Sequence, residues 1–132
     1  MAASTDLPVS ADFENGFADE PAEVANTVRM ALEAGLAGCS IEDATGDDEG
    51  PAIYDPGTAA ARIEAAAEVA HGGTVQLVLT ARAENYLHGR PDLRDTIRRL
   101  RPTRTPAPTS STPLACTAST TFATSSQPST GR

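Results

Sequence analysis

Lysine is missing from this 132-residue chain: its ten cations are all arginine, set against eighteen acids. Every acid lies at or before Asp95 and eight arginines lie at or before Arg101, so the first 101 residues carry a net charge of −10. An acidic body of this kind argues against non-specific nucleic-acid binding, which needs clustered Lys/Arg to displace counterions. Long apolar runs are missing too. None approaches the roughly 20 residues of a membrane span, and no charged n-region followed by an apolar h-region marks a signal peptide. Cysteine is scarce: Cys39 falls in a predicted buried strand and Cys116 in a polar tail, which gives no disulfide framework. No Gly-x-Gly-x-x-Gly follows any predicted strand, which weighs against a Rossmann-type nucleotide binder. These absences together describe a reduced, cytoplasmic protein without a membrane partner. Abundant Ala and Arg beside absent Lys fit a GC-rich coding sequence.

What is present is a set of three apolar runs, each ending in a polar, mostly charged cluster. They are Leu7 to Phe17, with Asp12 and Glu14; Gly38 to Asp43, with Glu42; and Val75 to Asn85, with Arg82 and Glu84. Helical patterns separate them, so the chain reads strand, helix, strand, helix, strand, helix. The first helix has Asp19 or Glu20 as its cap, Pro21 in its first turn and an apolar stripe of Val24, Val28, Ala31 and Leu32. Gly35 supplies its left-handed stop. Ala37 to Glu42 reads as a strand covered on both faces. Residues 44–57, rich in Gly, Asp and Pro, read as a mobile loop. Thr58 is expected to cap the second helix, whose inward face is Ile63, Ala66, Ala67 and Ala70, and Gly72-Gly73 ends it. The third strand is expected over Val75 to Ala81. Asp92 then caps a last helix, with Leu93, Ile97 and Leu100 facing inward. In parallel α/β folds the carboxyl ends of strands form the active face. Carboxylates ending two strands and an arginine ending a third point to a metal or anionic-substrate site.

The chain divides at Arg101. Fifteen of residues 102–132 are Ser or Thr, with neither an acid nor apolar periodicity. Such a segment cannot bury enough apolar surface to offset chain entropy, and disorder is expected there.

Residues 7–101 closely resemble the isocitrate lyase/phosphoenolpyruvate mutase superfamily, on three motifs in the family's order. Asp12-Phe13-Glu14-Asn15-Gly16-Phe17 aligns without a gap to the family's metal strand, Asp-Ala-Asp-Thr-Gly-Tyr/Phe. Ile41-Glu42-Asp43 matches a later strand end, and Ala81-Arg82-Ala83-Glu84-Asn85 matches Ala-Arg-x-Glu/Asp-Ala. The resemblance implies a (β/α)8 barrel, here present as about three βα units, that binds Mg2+ and a small 2-oxo carboxylate such as oxaloacetate or phosphonopyruvate. It implies Asp12 as the direct Mg2+ ligand, with Glu14 and Glu42 holding metal-bound water. It makes Arg82 the clamp for the substrate's carboxylate or phosphonate, Arg82 and Glu42 the catalytic groups, and Ser10 and Asn85 further substrate contacts. Intact relatives are expected to be homo-oligomers. The chemistry agrees, since Mg2+ takes oxygen ligands and keeps several waters, and a planar guanidinium suits an oxyanion. The family's Lys-Lys-Cys-Gly-His loop is not found after Asp43, where Ala44-Thr-Gly-Asp-Asp-Glu-Gly follows. That disfavours an isocitrate lyase and favours the decarboxylase, hydrolase or phosphonomutase branches.

Singly, each residue has a plainer explanation. Asp43 and Glu84 would be helix caps or solvated loop charges, and Arg82 would pair with a neighbouring acid. His71 and His88 would lie at the surface, Tyr54 and Tyr86 would pack, and Cys39 would be core. The alternative to an enzyme is an acidic binding module that keeps the βα pattern without catalysis. With three units of eight, the chain reads as an inactive fragment. Its tail reads as a frame-shifted segment: with GC-rich codons, a shift of one base from Arg101 onward permits AYQDAGADVLYAPGL, a family-like helix end and strand. The nucleotide sequence around the Arg101 codon tests that expectation.

Overall fold

A computed structural model describes residues 4–101. The predicted disorder and frame shift of residues 102–132 lie outside the described residues. Three strands and three helices alternate: β1 (Ser10–Asp12), α1 (Pro21–Glu33), β2 (Gly38–Glu42), α2 (Pro56–His71), β3 (Val78–Arg82) and α3 (Leu93–Leu100). The strands form one parallel sheet in the order β1-β2-β3.

The sheet is two-faced. Cys39 and Ile41 of β2 and Leu79 and Ala81 of β3 are buried, and with Leu77 they pack on Val24, Val28, Ala31, Ile63, Ala66 and Ala70 of α1 and α2. Burying each Val, Leu or Ile contributes on the order of 1.5–3 kcal/mol. On the opposite face Asp12, Ser40 and Thr80 stand in register, followed by Glu42 beside Arg82. Side chains along a strand alternate between faces, so the residues between the core positions collect on the side without helices. The expectation that β2 is covered on both faces is corrected accordingly: Ser40 and Glu42 are only half-buried.

Several boundaries move for identifiable reasons. The N-cap of α2 is Asp55, whose carboxylate accepts the amides of Gly57 and Thr58, so the helix starts at Pro56 and not after Thr58. A capping carboxylate followed by Pro at the first helical position is the stronger start signal. The third strand begins at Val78, because residues before Leu77 turn at the surface and Val75 is exposed. Gly35, at φ 78°, ends α1 as expected.

The helix α3 is rotated from expectation. Thr96 and Arg99 are its buried residues, while Leu93 is 55% exposed and Ile97 45%. Polar contacts set this orientation: Thr96 Oγ1 donates to Asn85 Oδ1 and Arg99 pairs with Asp43. The loop expected to be mobile is tied down instead. Ala44 bridges to Ile53, which is buried, and the Tyr54 amide donates to the Asp43 carbonyl. His71, expected to be solvated, has its Nδ1 buried, with no hydrogen-bond partner among the described residues.

Candidate active site

The parallel register puts the ends of the three strands side by side, and the charged residues that end them meet there. Arg82 Nη1 lies 3.3 Å from Asp12 Oδ2 and 3.5 Å from Glu42 Oε2, and its Nη2 lies 2.8 Å from Glu84 Oε1. One guanidinium therefore joins carboxylates from all three βα units. A planar fork with donors on both arms suits this, because its two nitrogens reach different carboxylates in a fixed geometry. The plainer reading of Arg82, an arginine paired with neighbouring acids, is what the geometry shows among the described residues. Its proposed role toward a substrate is additional to that.

Asp12 is held for ionisation. Ser40 Oγ donates to Asp12 Oδ1 at 2.9 Å and the Glu14 amide donates to the same oxygen at 3.1 Å. Those two bonds hold the Asp12 carboxyl below the usual carboxylate range; burial opposes them, and the Arg82 charge adds a lesser lowering effect. Glu42 is displaced the other way. Burial and then the neighbouring Glu84 raise its pKa, with lesser contributions from Asp12 and Glu14, and Arg82 opposes them. A carboxylate crowded by other carboxylates at a strand end is stabilised by an added cation.

Glu14 sits on the loop leaving β1, in the left-handed region at φ 49°, followed by Gly16 at 79° and Phe17 at 58°. Its carbonyl accepts the Glu42 amide at 2.7 Å, which ties the β1–α1 loop to the end of β2. Among the described residues, no three His, Cys, Asp or Glu side chains close around a common point tightly enough to hold an ion by themselves.

Ser10 opens β1 opposite Gly38, two residues before Asp12, and takes no part in the Arg82 network. Asn85 corrects the expectation of a substrate contact. It is fully buried, its Nδ2 donates to the carbonyls of Arg90 and Asp92, and its Oδ1 accepts from Thr96. Its amide shapes the β3–α3 loop. Asp43 and Glu84 are neither caps nor solvated charges, being 4% and 7% exposed. Asp43 accepts the Glu84 amide at 2.7 Å and Arg99 Nη1 at 3.1 Å, so it binds the ends of β2 and β3 to α3.

Two buried arginines escaped the sequence reading. Arg62 and Arg99 are 1% and 2% exposed. The available signal for Arg62 was its place on the inward face of α2, between Ala59 and Ala66. An open groove lined by Pro56, Ala60, Ile97 and Arg98 lies elsewhere and shares no residue with the carboxylate cluster.

With this geometry established, comparison with known proteins is decisive. The family profile described as phosphoenolpyruvate phosphomutase matches residues 1–102. The chain belongs to that family. A structure described as a lyase/mutase from Burkholderia cenocepacia J2315 is 56% identical, with a TM-score of 0.68 over 75% of this chain and 35% of that one. Oxaloacetate acetylhydrolase in complex with its product oxalate is 27% identical, with a TM-score of 0.60 over 70% of this chain and 31% of that one. Phosphonopyruvate hydrolase in complex with oxalate and Mg2+ shares the fold at 23% identity, with a TM-score of 0.65 over 74% of this chain and 33% of that one. The chain spans about a third of the length of these relatives. No curated protein matches. Among the described residues, no helix is long and apolar enough to cross a membrane.

Proposed function

We propose that the three βα units are a segment of a (β/α)8 barrel, and that they carry the metal- and substrate-binding strand ends of a Mg2+-dependent lyase or mutase acting on a small 2-oxo carboxylate. The observation that carries this reading is the convergence of Asp12, Glu42, Glu84 and Arg82 at the carboxyl ends of three successive parallel strands. Such ends are where barrel enzymes place their chemistry. Oxaloacetate and phosphonopyruvate, named for two structurally similar enzymes, define the substrate class: a carboxylate beside a 2-oxo group.

Asp12 is the direct cation ligand, kept ionised by Ser40 and the Glu14 amide. Glu14 and Glu42 accept hydrogen bonds from water on the cation. A bound Mg2+ supplies Lewis-acid stabilisation of negative charge developing on the 2-oxo oxygen. Arg82 orients the substrate's carboxylate or phosphonate, and the acids around it fix the plane of its guanidinium. Ser10, deeper on the same face of β1, contacts the substrate from below. This chain, a third of its relatives' length, is proposed to bind ligands without turning them over.

The test has two parts. Calorimetry of this chain with Mg2+ and oxalate should show oxalate binding that needs the metal, and Asp12→Asn should remove both. In a full-length homologue, replacing the residue matching Asp12 by Ala should abolish Mg2+-dependent turnover. Near-normal turnover at low Mg2+ in that variant would refute the role given to Asp12.

A further inference from the structure

We infer that Arg62 is the positioning residue of this site: from inside the protein it locks the loop bearing Glu14 to the strand end bearing Glu42. This rests on the proposed metal-binding reading for its consequence, though not for its geometry. Arg62 lies in the middle of α2, on the face turned to the sheet, and is almost wholly buried. A buried arginine normally pairs with a carboxylate. This one is satisfied by main chain. Its Nε donates to the Asp19 carbonyl at 3.1 Å, its Nη2 to the carbonyls of Asn15 and Ala18, and its Nη1 to the Glu42 carbonyl at 3.3 Å.

Four of its five donors are thus spent on two segments, the β1–α1 loop and the end of β2. Both belong to the site. The loop needs such an anchor, because Glu14 and Phe17 hold left-handed backbone that non-glycine residues rarely adopt. Conformations of that kind persist only where their surroundings over-determine them. Turning the loop this way also points its carbonyls inward, where each requires a donor. One guanidinium provides donors for three of them.

Tyr54 completes the clasp from the third side. Its ring lies 4.0 Å from the Arg62 guanidinium carbon, and its hydroxyl bonds Asp19 and Asn15 of the same loop. The β2–α2 loop, through Tyr54, and α2, through Arg62, therefore grip residues 15–19 between them. Because the Glu42 amide in turn donates to the Glu14 carbonyl, displacing the loop displaces both carboxylates. Lysine cannot substitute: its ammonium has no plane to stack and cannot reach four carbonyls in a fork.

The experiment compares the full chain with Arg62→Lys, and with Val28→Ala as a variant weakened in the α1 core away from the clasp. Amide hydrogen exchange is measured at Gly16, Phe17 and Glu42, and Mn2+ affinity by electron paramagnetic resonance. In Arg62→Lys those three amides should exchange at least tenfold faster while the core amides of α1 and β3 change little, and Mn2+ should bind about tenfold more weakly. In Val28→Ala the acceleration should be uniform. If Arg62→Lys matches Val28→Ala in pattern, or leaves both readouts at the wild-type level, the inference is overturned. If wild type binds no Mn2+, the functional reading fails, and the exchange pattern alone decides the role of Arg62. Should Arg62→Lys not fold, Tyr54→Leu removes the ring under the guanidinium and is read the same way. A threefold acceleration confined to those amides supports the clasp, and a uniform one overturns it.

Discussion

Asp43 and Arg99, 56 residues apart in the chain, meet at 3.1 Å with both side chains almost wholly withdrawn from solvent. Arg99 also donates to Asp95 at 2.7 Å and to the Tyr54 carbonyl, so a single cation fastens α3 to the end of β2 and to the loop beyond it. Removing one partner of a buried pair leaves the other charge uncompensated, at a cost of about 3–5 kcal/mol. Arg99→Met should lower stability by that order in urea unfolding. Adding Asp43→Asn should recover most of it, since an amide oxygen can still accept from Glu84. A double variant no more stable than the single one would contradict the pairing.

Glu42 gives a prediction of opposite sign. Its folded-state pKa is raised above the ordinary value, chiefly by burial and by Glu84. The native state therefore holds this proton more tightly than the unfolded chain does. Stability from this group is present below the unfolded pKa and is lost as pH rises through the raised one. Glu42→Gln should be more stable than wild type at neutral pH and should lack that decline, while binding Mg2+ more weakly. Thermal melts across the weakly acidic range check it; a less stable variant at neutral pH would show that the Arg82 pairing outweighs burial.

Asn85 separates structure from recognition. Truncating it removes three side-chain hydrogen bonds, to the carbonyls of Arg90 and Asp92 and from the Thr96 hydroxyl, and leaves a hole where a fully buried amide stood. Each such bond contributes about 0.5–1.5 kcal/mol. Asn85→Ala should lose on the order of 2–4 kcal/mol and leave oxalate affinity of the folded fraction unchanged. Weakened oxalate binding with stability retained would restore Asn85 to the substrate.

Gly16 adopts φ 79°, and a Cβ there would stand 3.0 Å from Val24 Cγ1. Both backbone strain and the contact disfavour any side chain, and misplaced residues of this kind cost on the order of 1–3 kcal/mol. Gly16→Ala should destabilise by about that much, seen as a lower melting temperature. An unchanged melt would show that the loop relaxes.

Much of this architecture was readable in the residues. Val24, Val28 and Ala31 fall at helical spacing, Gly35 stops the helix, and the charged residues ending three apolar runs do meet. What misled was polar burial. The apolar stripe of Leu93, Ile97 and Leu100 suggested one inward face for α3; Leu100 does pack on the core, but Leu93 and Ile97 are exposed while Asn85 and Asp43 draw Thr96 and Arg99 inward. Periodicity reports where apolar groups could go, and a buried ion pair can rotate a short helix against it. Residues 44–57 likewise read as loose from Gly, Asp and Pro, while the burial of Ile53 and the five contacts of Tyr54 fix them. Asp55 was overlooked beside Thr58 because both are capping residues, and only the Pro that follows distinguishes them.

The Asp12–Arg82 contact spans 70 positions of sequence, so it exists only in a chain that has closed both crossovers. A cation or anion held there is consequently bound by the folded protein and not by the unfolded one. Its concentration becomes a term in the folding equilibrium, worth about 1.4 kcal/mol for each tenfold rise above the dissociation constant. Occupancy and integrity of these strand ends are one measurement: titrating the ligand reads how much of the population has both crossovers shut, and melting the protein at graded ligand reads how tightly it holds.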